Sequence, residues 1–223
     1  MTLPRRDSQR LLAAAEPVEL ELGAVLYEAG ARIRYAYFPT ASFISQMVQV
    51  DARSTIEVGL IGNEGMLGVP LVLGVPTAPL RARVQGAGPA WRVSAATLTR
   101  ELERSAALRA RLQRYIAVRI GQLAQTAGCT RFHRVEPRLA RWLLMTQDRA
   151  HADAFRITHE FLAYMLGVRR VGVTKAACAL QARKLIGYRR GAVAILDRAG
   201  MEAASCACYR ADLDTYDRLL TAA

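Results

Sequence analysis

ITHEFLAYMLGVRRVGVTKAACALQARKL, residues 157–185, is the stretch on which the reading of the fold turns. Its spacing predicts two short helices joined by a tight glycine turn, the second opening on cations. Thr158 is placed to cap the first helix, and Glu160 to complement its N-terminus. Phe161, Leu162, Met165 and Leu166 recur at three- and four-residue intervals and give an inner face. Ala163 is small where a second helix must cross closely, and Gly167 can adopt the positive φ of a sharp turn. Val173 and Leu180 return the second helix to the first, leaving Arg169, Arg170, Thr174 and Lys175 on its outer side. A protein needs this spacing to lay one helix in a DNA major groove while another braces it.

The surroundings strengthen that reading over its alternative, a helical hairpin in a globular core that happens to carry surface arginines. No Asp or Glu occurs from Phe161 to Leu196, a window that holds Arg169, Arg170, Lys175, Arg183, Lys184, Arg189 and Arg190. Tyr188-Arg189-Arg190-Gly191 lies between apolar Leu185-Ile186 and Val193–Leu196, the pattern of a small β-hairpin wing. The 223-residue chain carries a formal net charge of +12, which suggests an anionic partner. Only Lys175 and Lys184 are lysines, so the distribution of charge says more than its total.

The N-terminus, MTLPRRDSQRLLAAAEP, has no apolar run suited to a secretory signal, and no segment has the length and apolarity of a membrane span. A cytoplasmic location is the expectation. The four cysteines, Cys129, Cys178, Cys206 and Cys208, do not suggest a metal framework, because Cys206-Ala-Cys208 is too closely spaced for the usual zinc or iron–sulfur patterns. Cys178 reads as a small core residue on the apolar side of the second helix. A redox pair is the minor alternative for Cys206 and Cys208, whose role stays open.

Upstream, short β-like pieces are broken by Gly and Pro: Val18–Leu22, Val25–Tyr27, Tyr35–Phe38, Phe43–Val50, Thr55–Leu60, Arg81–Gln85 and Ala90–Val93. Strands at this spacing predict a sandwich or barrel, here a β-roll. From Ala95 to Ala127 proline is absent, and Leu98, Leu102, Leu108, Leu112, Ile116, Ile120 and Leu123 form a stripe near helical spacing. One helix of about thirty residues would span roughly 45 Å, which favours a dimerisation helix over one lying on its own β domain. Gly128 is a plausible end for it, and Glu136-Pro137 opens the next helix, with Leu139, Trp142, Leu143 and Leu144 inward. His151–Phe155 reads as a linker, and helices are expected near Met201–Cys206 and Leu213–Leu220. The fold class is therefore α+β: a jelly-roll-like β-roll (1–94), a long dimerisation helix (95–128) and a winged helix-turn-helix (129–223).

That order resembles the Crp/Fnr family of bacterial transcription regulators, with matches concentrated in VEPRLARWLL (135–144), ITHEFLAYMLGVRR (157–170) and LIGYRRGAVAILDRAGMEAASC (185–206). The resemblance implies a homodimer on a pseudo-palindromic operator in double-stranded DNA, with a signal to the β-roll relayed through the long helices. RNA polymerase and a small-molecule effector are open partners. Relatives that bind cyclic AMP carry an Arg-Ser pair after a Gly-Glu-Leu motif. The corresponding GNEGMLGVPLVLGVPTAPLRARVQ (62–85) has no such pair, so cyclic AMP in the usual mode is not expected and the cofactor is unknown. Arg81 or Arg83 could meet a phosphate and Glu64 a ribose hydroxyl; the competing reading has both arginines pointing outward from an exposed strand. The oxygen-sensing branch holds an iron–sulfur cluster through N-terminal cysteines, which are missing before Cys129. The only histidines, His133, His151 and His159, lie beyond the β-roll and do not favour a haem there.

The family's recognition positions correspond to Arg170, Val171, Thr174 and Lys175, with Arg169 alongside. Arg170 keeps a fork suited to guanine O6 and N7, whereas Lys175 offers a donor without that geometry. Val171 stands where relatives have a carboxylate and offers apolar contact to a thymine methyl. Thr158, His159, Arg189 and Arg190 are candidate phosphate contacts. No nucleophile–base set or phosphate loop emerges, so an enzyme is not expected. The alternatives are a ligand-independent regulator with a scaffold β-roll, and a cyclic-nucleotide-binding module with no role in gene control.

Overall fold

The computed structural model describes residues 3–51, 54–189 and 191–221. The chain divides into two compact units, one of residues 1–46, 61–122 and 214–223, the other of residues 47–60 and 123–213.

The first unit begins with helix α1 (Arg5–Ala13) and continues into strands β1 (Glu16–Leu20), β2 (Val25–Tyr27), β3 (Tyr35–Pro39), β4 (Phe43–Gln49) and β5 (Thr55–Ile61). A 3-10 turn (Val69–Leu73) precedes β6 (Arg81–Gly86) and β7 (Gly88–Ser94). One sheet has the order β1-β7-β3, the other β2-β6-β4-β5. In the first, Val18 pairs with Ala90 and Ala36 with Val93, both antiparallel. Ala36, Ile44, Ala82, Val84, Ala90 and Val93, drawn from both sheets, join a single apolar core. On β6 the alternation is plain, with Ala82 and Val84 buried between the outward Arg81 and Arg83.

Ser94 ends β7 and caps α2 (Ala95–Arg104), its Oγ accepting the Thr97 N–H at 3.1 Å. The single helix expected across this region is broken. Ser105 takes an extended conformation, and its Oγ caps α3 (Ala106–Phe132) by accepting the Leu108 N–H at 3.0 Å. The Arg109 guanidinium donates back to the Leu102 carbonyl at 2.7 and 3.1 Å, satisfying an acceptor at the end of α2. Nor does Gly128 end the helix, which continues to Phe132. A lone helical glycine costs only about 1 kcal/mol relative to alanine, too little to stop a packed helix.

Helix α3 is apolar on two sides. Leu108, Leu112, Tyr115 and Val118 enter the core. Ala110, Gln113, Ala117, Ile120, Ala124 and Ala127 are exposed at alternating three- and four-residue steps, with Ile120 63% accessible.

The second unit is built on α4 (Val135–Ala150), which buries residues on every side. Its buried arginines all have partners: Arg138 donates to the Leu166 carbonyl, Arg141 pairs with Asp212 at 2.5 Å, and Arg149 donates to the Met145 carbonyl at 2.8 Å. Around it lie β8 (Ala154–Arg156), α5 (His159–Leu166), α6 (Arg170–Ala182), β9 (Ile186–Arg189) and β10 (Ala192–Ile195). Helices α7 (Arg198–Ala204) and α8 (Cys208–Tyr216) follow, and the end of α8 and the π turn after it (Asp217–Thr221) belong to the first unit. Residues 47–60, the far part of the β4–β5 hairpin, belong to the second unit. There the Trp142 indole N–H donates to buried Glu57 at 2.7 Å, and Met47 joins the core of Leu139, Leu143, Leu162, Val173 and Leu180. Among the described residues, no helix is long and apolar enough to cross a membrane.

Candidate nucleic-acid interface

Helices α5 and α6 take up the sequence at 159–182 much as its spacing predicts. Thr158 caps α5, accepting the Phe161 N–H at 3.1 Å. Leu162, Ala163, Met165 and Leu166 are buried, with Phe161 half-buried beside them. Gly167 ends the helix at φ +62°, and the Val168 N–H returns to the Ala163 carbonyl at 3.0 Å. A side chain at 167 would also crowd Ile56, whose Cδ1 lies 2.9 Å from the place of a Cβ.

Arg169 stands at the N-cap of α6 and Arg170 opens the helix; both are exposed. Val173, Ala176, Ala177 and Leu180 form its buried face. Arg170, Val171, Thr174 and Lys175 lie on the other side, with Val171 60% accessible and Lys175 exposed. Cys178 falls on the exposed side, which corrects its reading as a core residue. The buried positions run 173, 176, 177 and 180, and residue 178 is rotated away from that stripe.

Thr174 and His159 are tied to one another. Thr174 Oγ1 donates to the Arg170 carbonyl at 3.1 Å and lies 3.1 Å from His159 Nδ1. The other ring nitrogen of His159 is buried, and its ring packs against Tyr188 of β9 at a centroid distance of 4.4 Å. Burial, with Arg170 nearby, lowers the imidazole pKa. The His159 ring therefore organises the junction of α5, α6 and the wing, and is not presented outward. The Tyr188 hydroxyl donates to the Ile157 carbonyl at 2.6 Å, fixing the wing to the start of α5.

The wing is a three-stranded sheet of order β8-β10-β9. Arg189 is exposed opposite Ala192, and Gly191 adopts φ +76°. Arg190 lies outside the described residues. The expected linker His151–Phe155 instead runs into β8 at Ala154, where Ala-Phe-Arg is too short to show a period; Phe155 pairs with Val193. Arg156 on β8 adds an exposed cation, whereas Arg183 is paired with Glu136 at 3.1 Å.

The effector candidates have local partners. Arg81 meets Glu28 at 3.3 Å, Arg83 donates to the Gly23 carbonyl at 3.1 Å, and Glu64 accepts the Gly62 N–H at 3.0 Å. A cavity of about 430 Å³ in the β-roll is lined instead by Tyr27, Glu28, Arg32, Arg34, Tyr35 and Tyr37, among others.

One cluster escaped the sequence reading. Cys129 near the end of α3, His133 just beyond it, Cys206 between α7 and α8, and Cys208 at the start of α8 bring their ligand atoms within 4.8 Å of one another. The spacing of Cys206 and Cys208 alone does not suggest a site, and folding adds a thiol and an imidazole from more than seventy residues away. The Cys129 thiol pKa is held down to about 4, chiefly by its hydrogen bond with Cys206, against the opposing effect of burial. The same bond, with burial, pushes the Cys206 thiol up.

Residues 137–204 match the family model of the Crp-like helix-turn-helix domain. No curated protein matches the chain in sequence. Among solved structures, a Crp/Fnr-family transcriptional regulator from Eubacterium rectale aligns with TM-score 0.71 at 16% identity, over 93% of this chain and 95% of that one. FixK2 from Bradyrhizobium japonicum gives 0.73 at 13% identity, over 86% and 98%. The c-di-GMP-responsive global regulator CLP from Xanthomonas campestris gives 0.68 at 18%, over 86% and 99%.

Proposed function

This chain has the Crp/Fnr-type transcription-regulator fold and carries a Crp-like helix-turn-helix domain, and from that premise we propose that it is a dimeric, sequence-specific DNA-binding regulator. The observation that carries the reading is the opening of α6. There Arg169, Arg170, Val171 and Lys175 are exposed together, and no acidic residue sits in the helix's first turn. Arg170 and Lys175 address base edges, Arg170 through a bidentate pair with guanine, and Val171 meets a thymine methyl. Arg169, Arg189 and the N-terminus of α5 at Thr158 and His159 address phosphates, His159 through its backbone N–H.

Dimerisation is assigned to α3. Its exposed row of Ala110, Gln113, Ala117, Ile120, Ala124 and Ala127 has the alternating spacing of a coiled-coil seam with one polar position, and its alanines let two helices approach closely. A dimer sets two copies of α6 on half-sites one helical turn apart, so the operator is pseudo-palindromic. An effector of the β-roll would act through the long helix α3. No catalytic role is proposed, and the protein is placed in the cytoplasm with the DNA it reads.

The test is fluorescence anisotropy of the full-length chain on duplex DNA across a range of salt concentrations. Affinity should fall steeply with salt, and Arg189→Ala should weaken all sequences alike while reducing the magnitude of the slope of log K against log salt by about 1. Binding that is weak and indifferent to salt would remove the DNA-reading role.

A further inference from the structure

The quartet of Cys129, His133, Cys206 and Cys208 has the composition and dimensions of a single-ion site. Cys129 Sγ and Cys206 Sγ are 3.5 Å apart, and Cys208 Sγ lies 3.4 Å from His133 Nδ1. A tetrahedral zinc ion with bonds of about 2.3 Å to sulfur and about 2.0 Å to nitrogen sets its ligand atoms roughly 3.5–3.8 Å apart. Both close pairs lie at or near that spacing, and the other pairs lie within 4.8 Å. We propose that these four residues bind one borderline-soft divalent transition-metal ion, of which Zn²⁺ is the type, in a Cys₃His site.

The surroundings suit such an ion. The three cysteines form a buried cluster of their own, apart from the two large apolar cores. Mere packing gives no reason to gather three thiols and an imidazole, since a buried cysteine otherwise serves as a small hydrophobe. Three thiolates and a neutral imidazole around a divalent ion carry a net charge of −1. Buried Arg138 and Arg141 both stand near Cys129, and because Asp212 pairs with Arg141 at 2.5 Å, one of the two positive charges is left to offset it. Gln125 Nε2 donates to Cys208 Sγ at 2.9 Å, the kind of outer hydrogen bond that orients and steadies a metal-bound thiolate. An iron–sulfur cluster spreads its ligands over several metal atoms, which this tight grouping does not accommodate.

Cys129 and His133 are four residues apart, and the His133 N–H bonds the Cys129 carbonyl at 3.1 Å, so the helical turn sets both side chains on one face. Cys206 and Cys208 come from the far end of the sequence. One ion thus ties the end of α3, where it leads into α4, to the α7–α8 junction. His133 is exposed and gives the ion an entry route. Binding transfers the protons of any protonated thiols, at most three, to solvent and raises stability in proportion to site occupancy.

The experiment uses the reduced, metal-stripped full-length protein, titrated anaerobically with Co²⁺ and then Zn²⁺. The proposal expects one Co²⁺ per chain, with thiolate charge-transfer and tetrahedral d–d absorption, both lost when Zn²⁺ displaces it. His133→Ala removes an exposed ligand with little risk to folding and should weaken binding by ~10-fold or more. Cys178→Ser, outside the cluster, should leave stoichiometry and spectrum unchanged. Zn²⁺ should shield Cys129, Cys206 and Cys208, and not Cys178, from alkylation in the wild-type chain, a readout that needs no variant. Absence of the tetrahedral cobalt spectrum overturns the site, as does an unprotected Cys129–Cys206–Cys208 set. Equal weakening by Cys178→Ser and His133→Ala does the same.

Discussion

In the proposed reading of DNA, Arg170, Val171 and Lys175 would divide the work by their chemistry. Only Arg170 has a rigid donor fork, while Lys175 is a flexible point charge and Val171 a methyl-bearing wall. Val171→Glu should therefore introduce an acceptor and move preference toward cytosine at one position, measured on duplexes that differ at a single base pair. His159 belongs to the same scale. Its folded-state pKa lies below the ordinary 6.5, because burial and Arg170 disfavour the imidazolium. The unfolded chain then binds more protons in the window below 6.5, so stability rises with pH there. The neutral form's contribution is complete above that value and is lost on acidification. The melting temperature of the wild-type chain should fall more between about pH 7 and about pH 5 than that of His159→Gln, followed by circular dichroism. Cap, turn glycine and cationic positions were legible at this scale because each has a local cause. The inward turn of His159 was not, since its partners Thr174 and Tyr188 come from a different helix and a strand.

Elements were legible where their period is long and their ends are chemically marked. The β-roll strands, α4, α5 and α6 fall close to where alternation and helical spacing place them. The region after Ser94 was not fully readable. Ser105 is an ordinary helical residue by propensity, and its role as a cap depends on Leu108 and on Asp7 of α1, to which it donates at 2.6 Å. Phe155 pairs through its backbone with a strand nearly forty residues on, which no local pattern announces. Two substitutions probe the elements. Gly167→Ala forces a Cβ into a left-handed turn and against Ile56, and should cost ~1–2 kcal/mol in denaturant unfolding. Ile120→Arg puts like charges across the proposed seam of α3, and sedimentation should show the dimer shifted to monomer with the β-roll and helices still folded.

At the scale of the molecule, two compact units share a hairpin and a long helix: the β4–β5 hairpin leaves the first unit after residue 46 and returns to it at 61, and α3 starts in the first and ends in the second. The change from strand-like to helical spacing after Ser94 is visible in the sequence, but the two units do not divide there, since the first also holds α2, most of α3 and residues 214–223. Nor does the sequence announce that residues 47–60 belong to the helix-rich unit, since a strand pattern does not say what its far part will pack against. The convergence of Cys129, His133, Cys206 and Cys208 was hidden for the same reason. The central claim is that a dimer reads DNA through Arg170. Selection from a random duplex library, run in parallel on wild type and Arg170→Ala, tests it most directly. The account predicts a two-fold symmetric motif with centres about 10 base pairs apart or a multiple of that. In Arg170→Ala the symmetric guanine preference should collapse, with affinity down by ~1–3 kcal/mol. A motif without two-fold symmetry, or one that survives unchanged in Arg170→Ala, would contradict it.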